Sequence, residues 1–503
     1  MRKPLVLFLA AALVPCLQGA DLRTQVEDYV SHHQTEILKE LVTLLSIPNV
    51  AADRPNIERN VELLRAMLAR RGMSAEILRT QGNPLVYGEL QVPDAERTVL
   101  YYIHYDGQPV DPSGWKQADP FQPIMRRGRM EDGAAEIPDF LALRKFEPDW
   151  RLYGRSASDD KSPIVAFCAG LDALKAIGGT PKSNVRIVLD GEEEAGSRSI
   201  TAAIDQYRDK FRADFLLIFD GPVHPSGRPT LNFGARGIAE LDLTVYGPKM
   251  ALHSGHYGNW VPNPAMRLAQ LLASMKDERG RVVIPGFYDG IAPLKPEELR
   301  IQQTVPDDLE GLKHLFGFAE PDAVGRSLQE ALQYPSLNVR GMRSAYVGAD
   351  ARTVVPADAT AALDLRLVQE TPSAPLVEKV LAHIRSQGFH VVEKAPDDAT
   401  RVRYPKIVQV VRYPATEAYR TEMELPESIL VTRTLAQIWG AEPVRIRTSG
   451  GTVPISPFIR ALGFPAISVP TVNFDNNQHG ENENLRLGHF WDAIVTLSAL
   501  LAM

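Results

Sequence analysis

The stretch VRIVLDGEEEAGS, residues 185–197, places an apolar run directly before four acids, Asp190, Glu192, Glu193 and Glu194. A short apolar run rich in β-branched residues and followed by glycine predicts a buried strand. Like charges repel, so carboxylates gathered at the end of a buried strand need a compensating positive charge. A bound divalent cation would supply that charge.

Strands and helices alternate on both sides of this stretch. RTVLYYIHYD (97–106) and DFLLIFDG (214–221) have the pattern of buried strands, and SPIVAFCAGLDALKAIGG (162–179) has that of a helix. Continuous apolar strands alternating with helices predict an α/β fold with a mostly parallel central sheet flanked by helices. Cys168 lies in the predicted helix, where we expect a buried, inert thiol.

The order of elements changes after residue 235. From there the pattern runs β-α-β-β-α-β and ends with the strand HVVEK (390–394), which predicts a ferredoxin-like α+β unit. A polar stretch at 280–335 interrupts it and is interpreted as an insertion. We therefore predict one α/β domain formed by 21–235 and 401–503, with a smaller domain, 236–400, inserted into it.

The first twenty residues have the pattern of a secretory signal peptide. A basic start at Arg2 and Lys3 precedes an apolar stretch and a small-residue end, Gly19-Ala20. This pattern predicts cleavage near Ala20 and export to the periplasm or the medium. A lipoprotein processed at Cys16 is the weaker alternative, because proline precedes that cysteine. The apolar stretch is shorter than the ~20 residues that span a bilayer, so we expect no membrane contact after cleavage.

Composition excludes some classes of function. An apolar content of 44% and a charged content of 23% are ordinary for a globular protein. A net charge of −7 argues against nucleic acid as a partner.

Polar side chains follow several of the predicted strands. Ligands of open α/β sheets bind at the carboxyl ends of strands, so we expect these side chains to meet there. Zinc takes imidazole nitrogen and carboxylate oxygen, and two zinc ions can share one bridging carboxylate. The pattern predicts a metal site among the strand-end and loop residues His104, Asp106, Asp159, Asp160, Asp190, Glu192, Glu193, Glu194, Asp220 and His479.

Two further expectations concern the surroundings of this site. His104 and Asp106 are two residues apart in an extended segment, so their side chains project to the same side. Asp106 would then accept a hydrogen bond from the second imidazole nitrogen and fix its tautomer. Glu481 and Glu483, close to His479 in sequence, are expected to be solvated surface.

Nine short stretches together resemble a known family. The chain is similar to the co-catalytic zinc exopeptidases that include cytosolic dipeptidase and carnosinase, aminoacylase, and carboxypeptidase G. Its WKQADPF and LHSGHYGN stretches are most like the dipeptidase branch. The stretches are HYDGQPV (104–110), WKQADPF (115–121), LYGRSASDDKS (152–162), DGEEEAGS (190–197), FGARG (233–237), LHSGHYGN (252–259), ARTVVP (351–356), SGGTVPI (449–455) and HGENE (479–483).

The resemblance implies a zinc-peptidase catalytic domain with an inserted lid and dimerisation domain, and two zinc ions per subunit. Mn²⁺ or Co²⁺ is the alternative metal. His104 and Asp220 would bind one ion, Glu194 and His479 the other, and Asp159 would bridge them.

The same resemblance implies the remaining roles. Glu193 falls on the general base and Asp106 on the supporting aspartate. His253 falls on a histidine that reaches the active site of the partner subunit, which implies a homodimer. The residues that fall on the family's site for the substrate carboxylate are Arg366, Thr353, Gly450, Gly451 and Thr452.

The resulting expectation is a di-zinc metallopeptidase that hydrolyses dipeptides or short peptides with a free C-terminal carboxylate. A hydroxide between the two metal ions would attack, and Glu193 would handle its proton. The alternative is an N-acyl amino acid deacylase on the same scaffold. A non-catalytic binding module would lack ligands or base, and a calcium-binding protein would not use histidine ligands.

Overall fold

The computed structural model describes residues 19–291 and 293–503. Its helices are α1 Gly19–Leu45, α2 Arg54–Ala69, α3 Lys161–Ala176, α4 Ile200–Phe211, α5 Ser254–Tyr257, α6 Pro264–Ala273, α7 Pro296–Gln303, α8 Leu309–Phe316, α9 Leu328–Ala331, α10 Ser373–Ser386, α11 Asp398–Arg403, α12 Pro426–Trp439, α13 Ser456–Leu462 and α14 Leu487–Leu501.

Its strands are β1 Ser74–Leu78, β2 Leu85–Leu90, β3 Thr98–His104, β4 Ile124–Arg126, β5 Arg151–Tyr153, β6 Asn184–Asp190, β7 Phe215–Ile218, β8 Thr230–Asn232, β9 Gly234–Ala235, β10 Gly237–Tyr246, β11 Leu252–His253, β12 Ser336–Arg343, β13 Val354–Val355, β14 Asp358–Leu367, β15 His390–Val392, β16 Ile407–Arg412, β17 Tyr419–Arg420, β18 Val444–Ile446, β19 Ala466–Ser468 and β20 Asn484–Arg486.

The larger sheet has eight strands in the order β1-β2-β6-β3-β7-β19-β8-β18. The middle pairings, β6–β3, β3–β7 and β7–β19, are parallel, whereas β1–β2 and β2–β6 are antiparallel. The expected α/β class is confirmed. The sheet is mixed, because these two pairings and that of β19 with β8 are antiparallel.

Alternate side chains of β3 enter two separate cores. Tyr101 and Ile103 pack in a large core with α1, α2, α3, α12 and α14. Leu100 and Tyr102 pack in a second core with α4 and α13 on the opposite face. Because both faces are covered, the central strands β3 and β7 are apolar along their length, and the polar side chains His104 and Asp220 appear where these strands end.

Helix α3 is buried along most of its length, and Cys168 is fully buried as expected. Lys161, at its start, donates from Nζ to the carbonyl oxygens of Leu44 and Ile47, both at 2.8 Å. Those carbonyls lie at the C-terminus of α1, where a cation is favoured. The contact fixes the start of α3, and the two aspartates that precede it, against α1.

The smaller sheet has five strands in the order β12-β14-β10-β16-β15. Helices α6 and α10 cover its apolar face. The predicted last strand of this unit, at 390–394, forms only the short edge strand β15, which pairs parallel to β16. Strand β16 pairs antiparallel with β10 and thus takes the position of the fourth ferredoxin-like strand. It lies beyond residue 400, and the domain boundaries themselves stay a prediction.

The polar stretch at 280–335 contains the three short helices α7, α8 and α9. Within the part of the chain that the structure describes, no helix has the length and apolar character needed to cross a membrane.

Candidate metal centre

Three neighbouring parallel strands end at the same level. In the register of β3 and β6, His104 lies opposite Asp190, and in that of β3 and β7, Tyr102 lies opposite Ile218. Asp220 follows Ile218 by two residues and so reaches the level of His104. The carboxyl ends of these strands therefore gather the polar side chains on one edge of the sheet.

Five of the predicted ligands form two overlapping groups. His104, Asp159 and Asp220 form one group, and Asp159, Glu194 and His479 form the other. Within each group, one ligand atom per residue lies within 4.8 Å of the others. Asp159 belongs to both groups, which is the arrangement that a bridging carboxylate requires.

Asp159 makes the closest contacts in the cluster. Its Oδ1 lies 2.9 Å from Nε2 of His104, and its Oδ2 lies 3.1 Å from Nε2 of His479. Burial raises the pKa of Asp159, but the two imidazoles outweigh burial and lower it overall. The His479 side chain is 54% exposed whereas His104 is buried, so the cluster opens to solvent on the side of His479.

The cluster contains more carboxylate side chains than imidazoles. Burial, and then the neighbouring Asp159, raises the pKa of Glu194 to about 7. Burial raises the pKa of Asp220 to about 6. Among the described residues, no lysine or arginine forms an ion pair with Asp159, Glu193, Glu194 or Asp220. Two imidazoles and three ligand carboxylates, crowded without another cation, fit a pair of divalent metal ions.

Asp106 holds the turn that carries both glutamates. Its Oδ1 accepts from the backbone N–H of Glu193 at 3.0 Å, and its Oδ2 accepts from that of Glu194 at 3.1 Å. The Nδ1 atom of His104 lies 3.2 Å from the backbone oxygen of Asp106 and 3.4 Å from its Oδ1. The imidazole therefore contacts the backbone oxygen of Asp106 more closely than its carboxylate.

Glu193 lies beside the two groups without belonging to either. Its side chain is buried, and burial raises its pKa well above the ordinary value. Its carboxylate accepts no hydrogen bond from any residue that the structure describes.

Glu483 is a functional residue that the sequence analysis missed. The expectation of solvated surface is wrong, because its side chain is fully buried. It accepts from the backbone N–H groups of Ser156, Ser158 and Asp159 at 2.9, 2.8 and 2.9 Å, and from Arg155 Nη1 at 2.8 Å. These four bonds fix the loop that presents Asp159. No local pattern marks Glu483, since most of its partners are backbone groups distant in sequence.

The predicted substrate-binding residues fall in two places. Arg366 of β14 donates from Nη1 to Oγ1 of Thr452 at 2.9 Å, which joins the smaller sheet to the loop of Gly450 and Gly451. His253 and Thr353 are exposed and lie at the paired strands β11 and β13. His253 is in neither of the two ligand groups of this chain.

Comparisons with known proteins agree with this geometry. The sequence model of peptidase family M20/M25/M40 matches residues 137–503. The Cys-Gly metallodipeptidase DUG1 of Candida albicans is 26% identical, over 94% of this chain and 96% of its own length. The human Beta-Ala-His dipeptidase is also 26% identical, over 83% of this chain and 76% of its own length.

Solved structures have the same fold. An M20 family metallo-carboxypeptidase from Sulfolobus solfataricus is 29% identical and superposes with a TM-score of 0.75, covering 93% of this chain and 98% of its own. Human carnosine dipeptidase 1 is 23% identical with a TM-score of 0.73, covering 95% of this chain and 98% of its own. The family resemblance inferred from the nine stretches is confirmed.

The prediction of export to the periplasm or the medium is wrong. Yeast Cys-Gly metallodipeptidases, which are non-secreted, match 93–95% of the chain. The small residues expected to form the cleavage site, Gly19 and Ala20, belong to helix α1 instead of an extended segment. The rest of the predicted signal peptide, residues 1–18, lies outside the described residues.

Replacing Glu483 by glutamine should weaken metal binding. The amide NH₂ would face backbone N–H groups and release the loop of Asp159, so we expect affinity for Co²⁺ to fall about 10–100-fold. Titration followed by the visible absorption of Co²⁺ measures this. Glu481→Gln, an exposed change in the same segment, is the matched control and should bind as wild type. Unchanged affinity in a folded Glu483→Gln protein would contradict the role of Glu483.

Proposed function

Because the chain belongs to peptidase family M20/M25/M40 and is a metal-dependent hydrolase of amide bonds, we propose that it is a di-zinc dipeptidase. Its substrates would be dipeptides or short peptides with a free C-terminal carboxylate. The observation that carries the proposal is the membership of Asp159 in two ligand groups at once. The names of the relatives do not favour the alternative of an N-acyl amino acid deacylase.

The ligands divide between two ions. His104 and Asp220 would hold one, Glu194 and His479 the other, and Asp159 both. When bound, such a pair supplies a water with its pKa lowered towards ~7 and a positive charge for the substrate's carbonyl oxygen. Zinc suits this mixture of imidazole and carboxylate ligands, and Mn²⁺ or Co²⁺ is the alternative.

Glu193 would act as the general base and acid. Its buried carboxylate has no hydrogen-bond donor among the described residues, and its backbone is fixed by Asp106. It would take the proton of the attacking water and return it to the leaving amine. Of two adjacent glutamates, Glu194 would bind metal and Glu193 would move the proton.

His253 would act in the site of a partner subunit. Its exposure, and its absence from the ligand groups of its own chain, support an action between subunits. Trp260, which is 80% exposed close by, supports an interface there. In a homodimer, His253 would donate to the carbonyl oxygen of a substrate bound to the other protomer.

The substrate's carboxylate would lie at the junction of the smaller sheet and the loop 449–452. Arg366 offers a planar fork, and Thr452 holds one of its nitrogens. Gly450 and Gly451 would let the chain approach closely, and Thr353 would complete the site beside His253. This arrangement favours a free carboxylate over an ester or amide.

A substrate screen tests the proposed function directly. We expect the purified protein to hydrolyse dipeptides faster than N-acetyl amino acids. A chelator should abolish both activities, because the substrate's carbonyl oxygen then lacks the positive charge of the metal ions. Liquid chromatography of the released amino acids, with metal analysis of the same sample, provides the measurement. Faster release from N-acetyl amino acids would favour the deacylase instead.

Glu193→Gln should separate catalysis from metal binding. Removing the proton acceptor should lower kcat about 10²–10⁴-fold while metal content stays at the wild-type level. The neighbouring Glu192→Gln is the control and should remain active. Near-normal turnover by Glu193→Gln would refute the assigned role.

His253→Asn should lose turnover with its metal retained, because the carbonyl oxygen loses a donor. Co-expression with Glu193→Gln should restore about a quarter of wild-type activity, since half of randomly formed dimers are mixed and each has one intact site. Assays of the purified mixture, against each variant alone, measure the recovery. No recovery would mean that His253 acts within its own chain.

A further inference from the structure

One buried cation lies outside the sites described so far. Arg236, between β9 and β10, is 7% exposed. Its Nη2 donates to the backbone oxygen of Tyr334 and to Oγ of Ser336, both at 2.9 Å. Both acceptors are neutral. Its Nε is buried and has no acceptor among the described residues.

The charge around Arg236 is not balanced. Burial, and then the nearby Arg366, lowers the pKa of Arg236 to about 10, and Asp364 acts in the opposite direction. Asp364 is the acid closest to Arg366, with Oδ1 3.8 Å from its Nε, and its Oδ2 accepts from Asn338. Two protonated guanidinium groups thus share one carboxylate. A buried charge in excess is costly unless a counter-ion binds.

The backbone of Arg236 is fixed to the loop 449–452. Its N–H donates to the oxygen of Ser449 at 3.2 Å, and the N–H of Ser449 donates to the oxygen of Gly234 at 2.8 Å. Three residues further along this loop, Thr452 accepts from Arg366. The loop therefore contacts both arginines.

The sheet brings the side chains to the same place. Ser336 of β12, which accepts from Arg236, is directly opposite Arg366 of β14 in the register. Leu332 adds an apolar wall, since a Cβ atom at Gly450 would lie 3.3 Å from its Cδ2. Arg236 and Arg366 thus both lie beside Ser336, and both contact the loop 449–452.

We propose that Arg236 and Arg366 form a two-guanidinium anion subsite that binds the carboxylate of the substrate. Each planar fork offers parallel N–H donors to a carboxylate. The subsite rests on the proposed function for the identity of its ligand. Arg236 is the buried guanidinium of this subsite, and the bound carboxylate compensates its positive charge.

The kinetic test compares a dipeptide acid with its amide. In Arg236→Met we expect the KM for Ala-Ala to rise about 10–100-fold with kcat little changed, as loss of a charge-assisted hydrogen bond implies. The KM for Ala-Ala amide should stay the same. Arg236→Lys, which keeps the charge without the fork, should fall between. Arg340→Met is the control, because Arg340 is an exposed cation of the same sheet, paired with Glu240.

A role of Arg236 in packing alone would affect acid and amide equally. An equal loss on the two substrates, or an unchanged KM for Ala-Ala, would therefore overturn the subsite.

Binding measured without turnover distinguishes the two proposals. Propionate, with propionamide as the uncharged control, is followed by saturation-transfer NMR on the metal-loaded protein. Propionate binding that disappears in Arg236→Met supports the subsite even if the wild type hydrolyses no dipeptide, in which case only the proposed function fails. Intact dipeptide hydrolysis with propionate binding independent of Arg236 overturns the subsite alone.

Discussion

The position of one carboxylate, that of Asp159, determines whether the two groups of ligands can act together. Glu483 holds the loop of Asp159. It accepts hydrogen bonds from three backbone N–H groups and from the guanidinium of Arg155. Lys161 fixes the following helix to α1 from the other side. Hydrogen bonds from two separate segments thus restrain the position of this loop. The strand ends bring His104, Glu194 and Asp220 close together, and this network positions the carboxylate of Asp159 that the two ligand groups share.

Two parts of the molecule carry opposite charge imbalances. The metal centre has four carboxylates, of which Asp159 and Glu193 are buried, facing two imidazoles. Among the residues that the structure describes, Asp364 is the one acid near both Arg236 and Arg366. Each imbalance costs free energy until a ligand of the opposite sign binds. Divalent metal ions would offset the first imbalance, and the carboxylate of a bound peptide would offset the second. Charges that the fold leaves uncompensated thus make it selective for ligands of the opposite sign.

Local pattern was enough to place the large sheet, helix α3 and the strand-end ligands, because apolar strands covered on both faces expose polar residues only where they end. The resemblance to a family added Asp159 and His479, which lie in loops. Glu483 and Arg236 could not be found in this way, because their partners are largely backbone groups from distant segments. Strand β16 was overlooked in favour of the nearer β15, since pairing order depends on tertiary contacts. The apolar N-terminus suggested export, which comparison with relatives contradicts.

The bond between Asp159 N–H and Glu483 spans 324 residues of sequence. A ribosome makes the chain from its N-terminus, so His104, Asp159, Glu194 and Asp220 all emerge long before His479 and Glu483. Until then the loop of Asp159 lacks its acceptor and the second ligand group lacks its histidine. Under the proposed mechanism, the unfinished polypeptide would therefore be unable to cleave peptides during translation, and hydrolytic capacity would arise only once the segment of His479 and Glu483 had joined the fold.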